Sequence, residues 1–195
     1  MNARRIADRL TSIQRVALLL VSVSKATPVR GKLWFQKQVF AISKNLPKLS
    51  ENLEYEPALM GPFSEALEVN VDQLVAVELL EQDGARYELT PTGRDVASII
   101  EKETKPEELQ LISDVKELMN DLTDDELLAL IYYTNKDMIS ESEKVDKIVP
   151  KRKDLSASLF RKGKIGAEMG ALIAGLDVQD YLDFLRSKGI RVFSE

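Results

Sequence analysis

Ile165-Gly166-Ala167-Glu168-Met169-Gly170-Ala171-Leu172-Ile173-Ala174-Gly175-Leu176-Asp177-Val178-Gln179-Asp180-Tyr181-Leu182-Asp183-Phe184-Leu185 has the spacing of a helix-turn-helix. Two tightly crossed helices need a small residue midway along the first, a residue that tolerates positive φ at the turn, and apolar residues at fixed offsets. Counted from Ala167, small residues fall at positions 4, 5 and 8, the turn glycine at 9, and apolar residues at 10, 15 and 18. Lys162-Gly163-Lys164 before the tract and Lys188-Gly189 after it are stop signals, followed by an apolar tail, Ile190-Arg191-Val192-Phe193.

Upstream, an apolar stripe of Ile6, Leu10, Ile13, Ala17 and Leu20 predicts one amphipathic helix over 4–25, ended by Thr27-Pro28. Arg30-Gly31-Lys32 opens a second helix that runs to Asn45-Leu46-Pro47. Residues 48–62 read as an irregular connection, and Ser64 caps a third helix with Leu67, Val71, Leu74, Val75 and Leu79 on its buried side. Asp83-Gly84 between two short apolar-containing runs signals a tight hairpin, and Thr90-Pro91 starts a further helix toward Lys102. The expected fold is mainly α: a winged helix-turn-helix domain over 1–104 with a small β-hairpin wing, and a helical module over 105–195 that ends in the helix-turn-helix. The charged, proline-containing run from Lys102 to Glu108 marks the expected boundary. Within the second module, Thr123 with Glu126 and Ser140 with Glu143 have the spacing of capping boxes.

Three stretches carry a resemblance: Gly31-Lys32-Leu33-Trp34-Phe35-Gln36-Lys37-Gln38-Val39-Phe40, Gly61-Pro62-Phe63-Ser64-Glu65-Ala66-Leu67, and Tyr87-Glu88-Leu89-Thr90-Pro91-Thr92-Gly93-Arg94. Over residues 10–104 they resemble archaeal and bacterial winged-helix proteins, in particular the Panacea-type antitoxin domain and its regulator-like relatives. Leu159-Phe160-Arg161-Lys162-Gly163-Lys164-Ile165 with Ala171 to Leu176 is similar to the small prokaryotic antitoxin-like family. That family has serine opening the first helix of the pair and alanine in its middle, where this chain has Gly166 and Gly170. Two added glycines are expected to loosen the helix by roughly 1 kcal/mol each.

Composition narrows the chemistry. The chain has 195 residues, no histidine and no cysteine, which removes the usual general base, the usual thiol nucleophile and the nitrogen and sulfur ligands of zinc. The expectation is a non-enzymatic protein without cofactor or metal. Asp121, Asp124, Asp125 and Glu126 lack the spacing of a calcium loop and read as helix-capping acids. Arg9 and Arg15 interrupt the N-terminal apolar run, so no secretory signal or membrane span is read there, and a cytoplasmic location is expected.

The net charge of −5 conceals an asymmetry: residues 1–48 carry +9, residues 49–146 carry −18 and residues 147–195 carry +4. The basic ends supply candidate phosphate contacts at Arg4, Arg5, Arg30, Lys32, Lys37, Lys151, Arg152, Lys153, Arg161, Lys162 and Lys164, with Arg86 on the wing. At the front of the last helix, Gln179 is a candidate adenine reader. Asp177, Asp180 and Asp183 repel phosphate there and are candidate contacts to a protein partner. Two readings follow. One is a DNA-binding transcriptional regulator or antitoxin-like protein, a homodimer facing two half-sites. The other is an interaction adaptor that neutralises a toxin or bridges a complex without DNA.

Overall fold

Residues 3–192 are described in the computed structural model, and Phe193 of the expected tail lies outside them. Among the described residues the chain is mainly helical with one two-stranded antiparallel sheet. It divides into two compact units, residues 1–56 with 62–121 and residues 57–61 with 122–195.

The first unit holds α1 (Ala3–Ala7), α2 (Ser12–Ala26), α3 (Lys32–Ser43), α4 (Pro47–Ser50), α5 (Glu65–Ala76), β1 (Leu80–Asp83), β2 (Arg86–Leu89), α6 (Pro91–Glu103) and α7 (Pro106–Met119). The helix expected over 4–25 is thus two helices. Thr11 is the cause: its hydroxyl accepts from the Gln14 amide while the Gln14 side chain accepts from the Thr11 amide, a capping box that starts α2 afresh. α2 buries Ile13, Ala17, Leu18, Leu19, Leu20 and Val21. It ends in three successive left-handed residues, Ser24, Lys25 and Ala26, at φ of 53°, 60° and 53°. The buried Lys116 ammonium of α7 donates to the Val21 and Val23 carbonyls at 3.0 Å each, supplying the donors that a helix end lacks.

α3 is buried around nearly its whole circumference, from Trp34 to Phe40 and at Ile42 and Ser43. Against it lie Tyr87, with Phe35 edge-on at 5.0 Å, and Tyr55, with Phe40 at 4.9 Å. Ser64 caps α5 as its position in the sequence predicts, accepting from the Leu67 amide. In the hairpin, Asp83 pairs with Arg86, so the turn residues are Gly84 and Ala85, one position later than the Asp83-Gly84 reading. Gly84 takes the positive φ of 59°. Tyr87 also exchanges backbone hydrogen bonds with Val29 at 2.9 and 3.0 Å.

The division after Asp121 differs from the expected boundary at 104/105 and leaves α7 in the first unit. Lys116 and Asn120 hold it there, the latter donating to the Pro28 carbonyl at 2.8 Å. A charged run containing proline ends a helix, but it does not by itself end a core.

The second unit holds α8 (Asp124–Thr134), α9 (Val145–Ile148), α10 (Arg152–Arg161), α11 (Ala167–Ala174) and α12 (Val178–Ser187). Thr123 and Glu126 form the expected capping box ahead of the buried run Leu127 to Tyr132. The Ser140 and Glu143 box does not form: α9 begins at Val145 with no side-chain cap. Ser142 is used instead, its hydroxyl accepting from the Lys144 amide and donating to the Leu59 carbonyl at 3.1 Å. No helix among the described residues is long and apolar enough to cross a membrane.

Candidate functional site

The pair α11 and α12 is set by three local features. Gly175 ends α11 in a left-handed conformation, φ +71°. Asp177 opens α12, its carboxylate accepting from the Asp180 amide at 2.8 Å. Tyr181 and Leu185 then pack on Ala157, Ala171 and Ala174, with Phe160, Leu176 and Phe184 around them. A buried polar contact lies inside this core: the Ser156 hydroxyl donates to the Gly170 carbonyl at 2.6 Å and sits 2.9 Å from the Tyr181 hydroxyl. Burial pushes the Tyr181 phenol up, opposed by that bond to Ser156.

The solvent side of α12 is acidic. Asp177, Gln179, Asp180 and Asp183 are exposed on its first two turns, with Val178 (42% exposed) beside them and Leu172 of α11 (45% exposed) across the turn. The Gln179 amide donates to the Asp183 carboxylate at 3.4 Å, and Arg186 donates to the same carboxylate at 2.6 Å. The first two turns therefore present carboxylates, one amide already turned toward a carboxylate and one apolar side chain, with a second apolar side chain on α11.

Much of the expected basic surface is committed elsewhere. Lys37 is buried, 2% exposed, and donates to the Pro62 carbonyl at 2.7 Å, so it faces no phosphate. Burial pulls its ammonium down to about 7. Arg152 closes the C-terminus of α11, donating to the Ile173 carbonyl at 2.6 Å and the Leu172 carbonyl at 3.1 Å, and it stacks over Tyr133 at 4.1 Å. Lys32 is paired with Glu68 at 2.7 Å and lies 3.8 Å from Asp72; the hydrogen bond to Glu68 raises its pKa. Lys151 donates to Asp125 at 2.9 Å, and that bond chiefly holds the Asp125 carboxyl low. Lys162 donates to the buried Glu126 at 2.7 Å. Arg4 is paired with Asp8 at 3.1 Å and with Glu103, Arg30 lies over the Trp34 ring at 4.5 Å, and Lys164 is half-buried. Arg5, Arg86, Lys153 and Arg161 remain exposed, with no ion pair or side-chain hydrogen bond among the described residues.

Two features escape a reading of charge and periodicity. Lys116 is 1% exposed, with an ammonium pulled down to about 8 by burial. The exposed apolar residues Val69, Val77, Leu172 and Val178 fall outside the buried stripes of their helices, and that offset is the only signal the sequence carries for them. Comparison with known families, curated proteins and solved structures yields no match.

Proposed function

We propose that the chain is a non-enzymatic, antitoxin-like binding protein, with a winged-helix first unit and a helix-turn-helix at the end of the second. In this reading the outward face of α12 takes a basic protein partner in place of a DNA groove. The acidic, partly apolar front of α12 supports it: a helix placed to read base edges must not repel the phosphates beside them. Asp180 and Asp183 lie where a groove-reading helix carries donors, and Gln179 is turned toward Asp183. A cationic segment with an apolar side chain complements Asp180, Asp183, Val178 and Leu172 together. The lack of histidine and cysteine supports a binding role over catalysis.

Fluorescence anisotropy against the chain's own upstream duplex and a scrambled duplex, from about 50 to 200 mM salt, separates this from the regulator reading. The expected result is no preference for the upstream duplex. In parallel, a protein that copurifies with the wild-type chain should be lost from Asp180→Lys/Asp183→Lys and kept by Lys153→Glu. Preferential binding of the upstream duplex, or a partner retained by the reversed chain, overturns the proposal. Asp177 is left unchanged because it caps α12.

A further inference from the structure

The first unit carries two grooves at opposite ends of α5. At its N-terminal end a groove of about 640 Å³ is walled by Glu51, Glu54, Glu56 and Glu65 and floored by Phe63 and Val69. At its C-terminal end a groove of about 380 Å³ is floored by Ile6, Leu10 and Val77 and rimmed by Arg5 and Arg9. None of these six charged side chains makes an ion pair or a side-chain hydrogen bond among the described residues. By contrast Arg4 and Arg15, from the same part of the chain, are both paired with Glu103. α5 and Val77, the residue that ends it, present an exposed edge of Glu65, Val69, Gln73 and Val77, four residues apart, with Val69 47% and Val77 61% exposed and Gln73 accepting from the Gln14 side-chain amide at 2.9 Å. Residues four apart are neighbours on a helix surface, so the four form one unbroken stripe that winds about the axis. Twelve residues separate its ends, about 18 Å along the axis.

We infer that two copies of this chain pair through α5, antiparallel, so that each copy's Arg5 and Arg9 meet the acidic groove of the other. A twofold axis across the middle of the stripe brings residue 65 of one copy opposite residue 77 of its mate and residue 69 opposite residue 73. It seats Val77 on the Phe63 and Val69 floor and sets Glu65 and Glu54 against Arg5 and Arg9. Because the axis exchanges the two grooves, the same contact forms twice. That self-complementarity is what a closed dimer requires. A surface with like charge at both ends of α5 would repel its own copy; this one is opposite at its ends, with the exposed valines between. The pairing stands on the first unit alone, independent of what α12 binds. It also covers the solvent edge of α5, leaving that edge no access to a groove of DNA.

Charge exchange tests it on the full chain. Arg5→Glu/Arg9→Glu makes both ends acidic, and Glu54→Lys/Glu65→Lys makes both ends basic; all four positions are exposed. By sedimentation equilibrium the wild type is expected to be a dimer that weakens with salt. Each reversed chain alone should lose dimerisation by about 100-fold or more, since like charges then face each other at both ends. An equimolar mixture of the two reversed chains should dimerise again. A monomeric wild type, reversed chains that still dimerise, or a mixture that stays monomeric while each component keeps its native circular dichroism would each overturn the pairing.

Discussion

Gly170 of α11 lies against the ring of Tyr181 in α12 so closely that a Cβ at position 170 would stand 2.5 Å from Tyr181 Cζ and from its hydroxyl oxygen. The glycine that helix propensity marks as a weakness is the residue that lets the two helices cross. Gly170→Ala should therefore destabilise the second unit, by roughly 1–3 kcal/mol from overpacking, despite the better helix propensity of alanine. Tyr181→Leu in the same chain should recover part of that loss, so the two changes cost less together than their sum. Urea denaturation of the four chains of this cycle measures the coupling, and strict additivity would mean that the close approach does not exist.

Lys37 leads to a pH dependence with a definite sign. Its ammonium is pulled from 10.5 down to about 7 by burial, so between those values the unfolded chain binds the proton and the folded chain does not. Stability must then rise as pH rises through that window. Lys116, pulled down to about 8, adds to the upper part of the rise. Lys37→Met should flatten the increase in urea midpoint between pH 6.5 and 9.5, removing the Lys37 share across that window and leaving the Lys116 share above about pH 8. An identical slope in both chains would show that Lys37 reaches solvent or a second acceptor.

What was legible in the sequence follows from what each pattern encodes. The α11–α12 pair was readable because a positive-φ turn and a close crossing leave glycine and alanine at fixed offsets, as at Gly170, Ala171 and Gly175. The break between α1 and α2 was hidden because the apolar stripe runs on past the capping box of Thr11 and Gln14. Charge is readable and its placement is not: a one-sided amphipathic pattern assumes a wet face, and α3 has almost none, so the lysine at 37 is buried where its charge alone would put it at the surface. In sequence Arg152 is one of a basic cluster, and nothing there announces that its guanidinium reaches the end of α11, 20 residues on. The grooves flanking α5 bring together residues from 5 to 79. No local spacing encodes that juxtaposition.

Glu126 contributes to the acid sensitivity of the second unit. Burial alone would raise its pKa, but Lys162, the Thr123 amide and the Ser158 hydroxyl outweigh that and hold the carboxyl below its ordinary 4.5. A depressed carboxylate contributes stability that is full above its unfolded value and is lost as pH falls through the folded one. Glu126→Gln should cost roughly 1–3 kcal/mol at pH 7, because an amide keeps only one of the two oxygens that accept from Lys162, the Thr123 amide and the Ser158 hydroxyl. It should also lessen the fall in stability below pH 4.5. Thermal melts at pH 7 and pH 3.5 give both quantities, and an unchanged difference between the two pH values would remove Glu126 from the acid response.

The end of α2 offers the opposite of the usual glycine rule. Ser24, Lys25 and Ala26 occupy left-handed backbone, which costs an L-residue with a Cβ roughly 1–2 kcal/mol. Ser24 has a compensating role, since its hydroxyl reaches Ser113 and Glu117. Ala26 is exposed and has no side-chain polar group to offset the strain. Glycine adopts φ near +53° freely but loses about 0.4–1 kcal/mol through the greater freedom of the unfolded chain. The relief exceeds that loss, so Ala26→Gly should leave stability unchanged or raise it by up to about 1 kcal/mol. Ala174→Gly in the right-handed helix α11 should lower it by at least about 1 kcal/mol, through helix propensity and the loss of its buried methyl. Denaturation of the two variants side by side decides the point: a destabilised Ala26→Gly would mean that residue 26 is right-handed and that Lys116 closes an ordinary helix end.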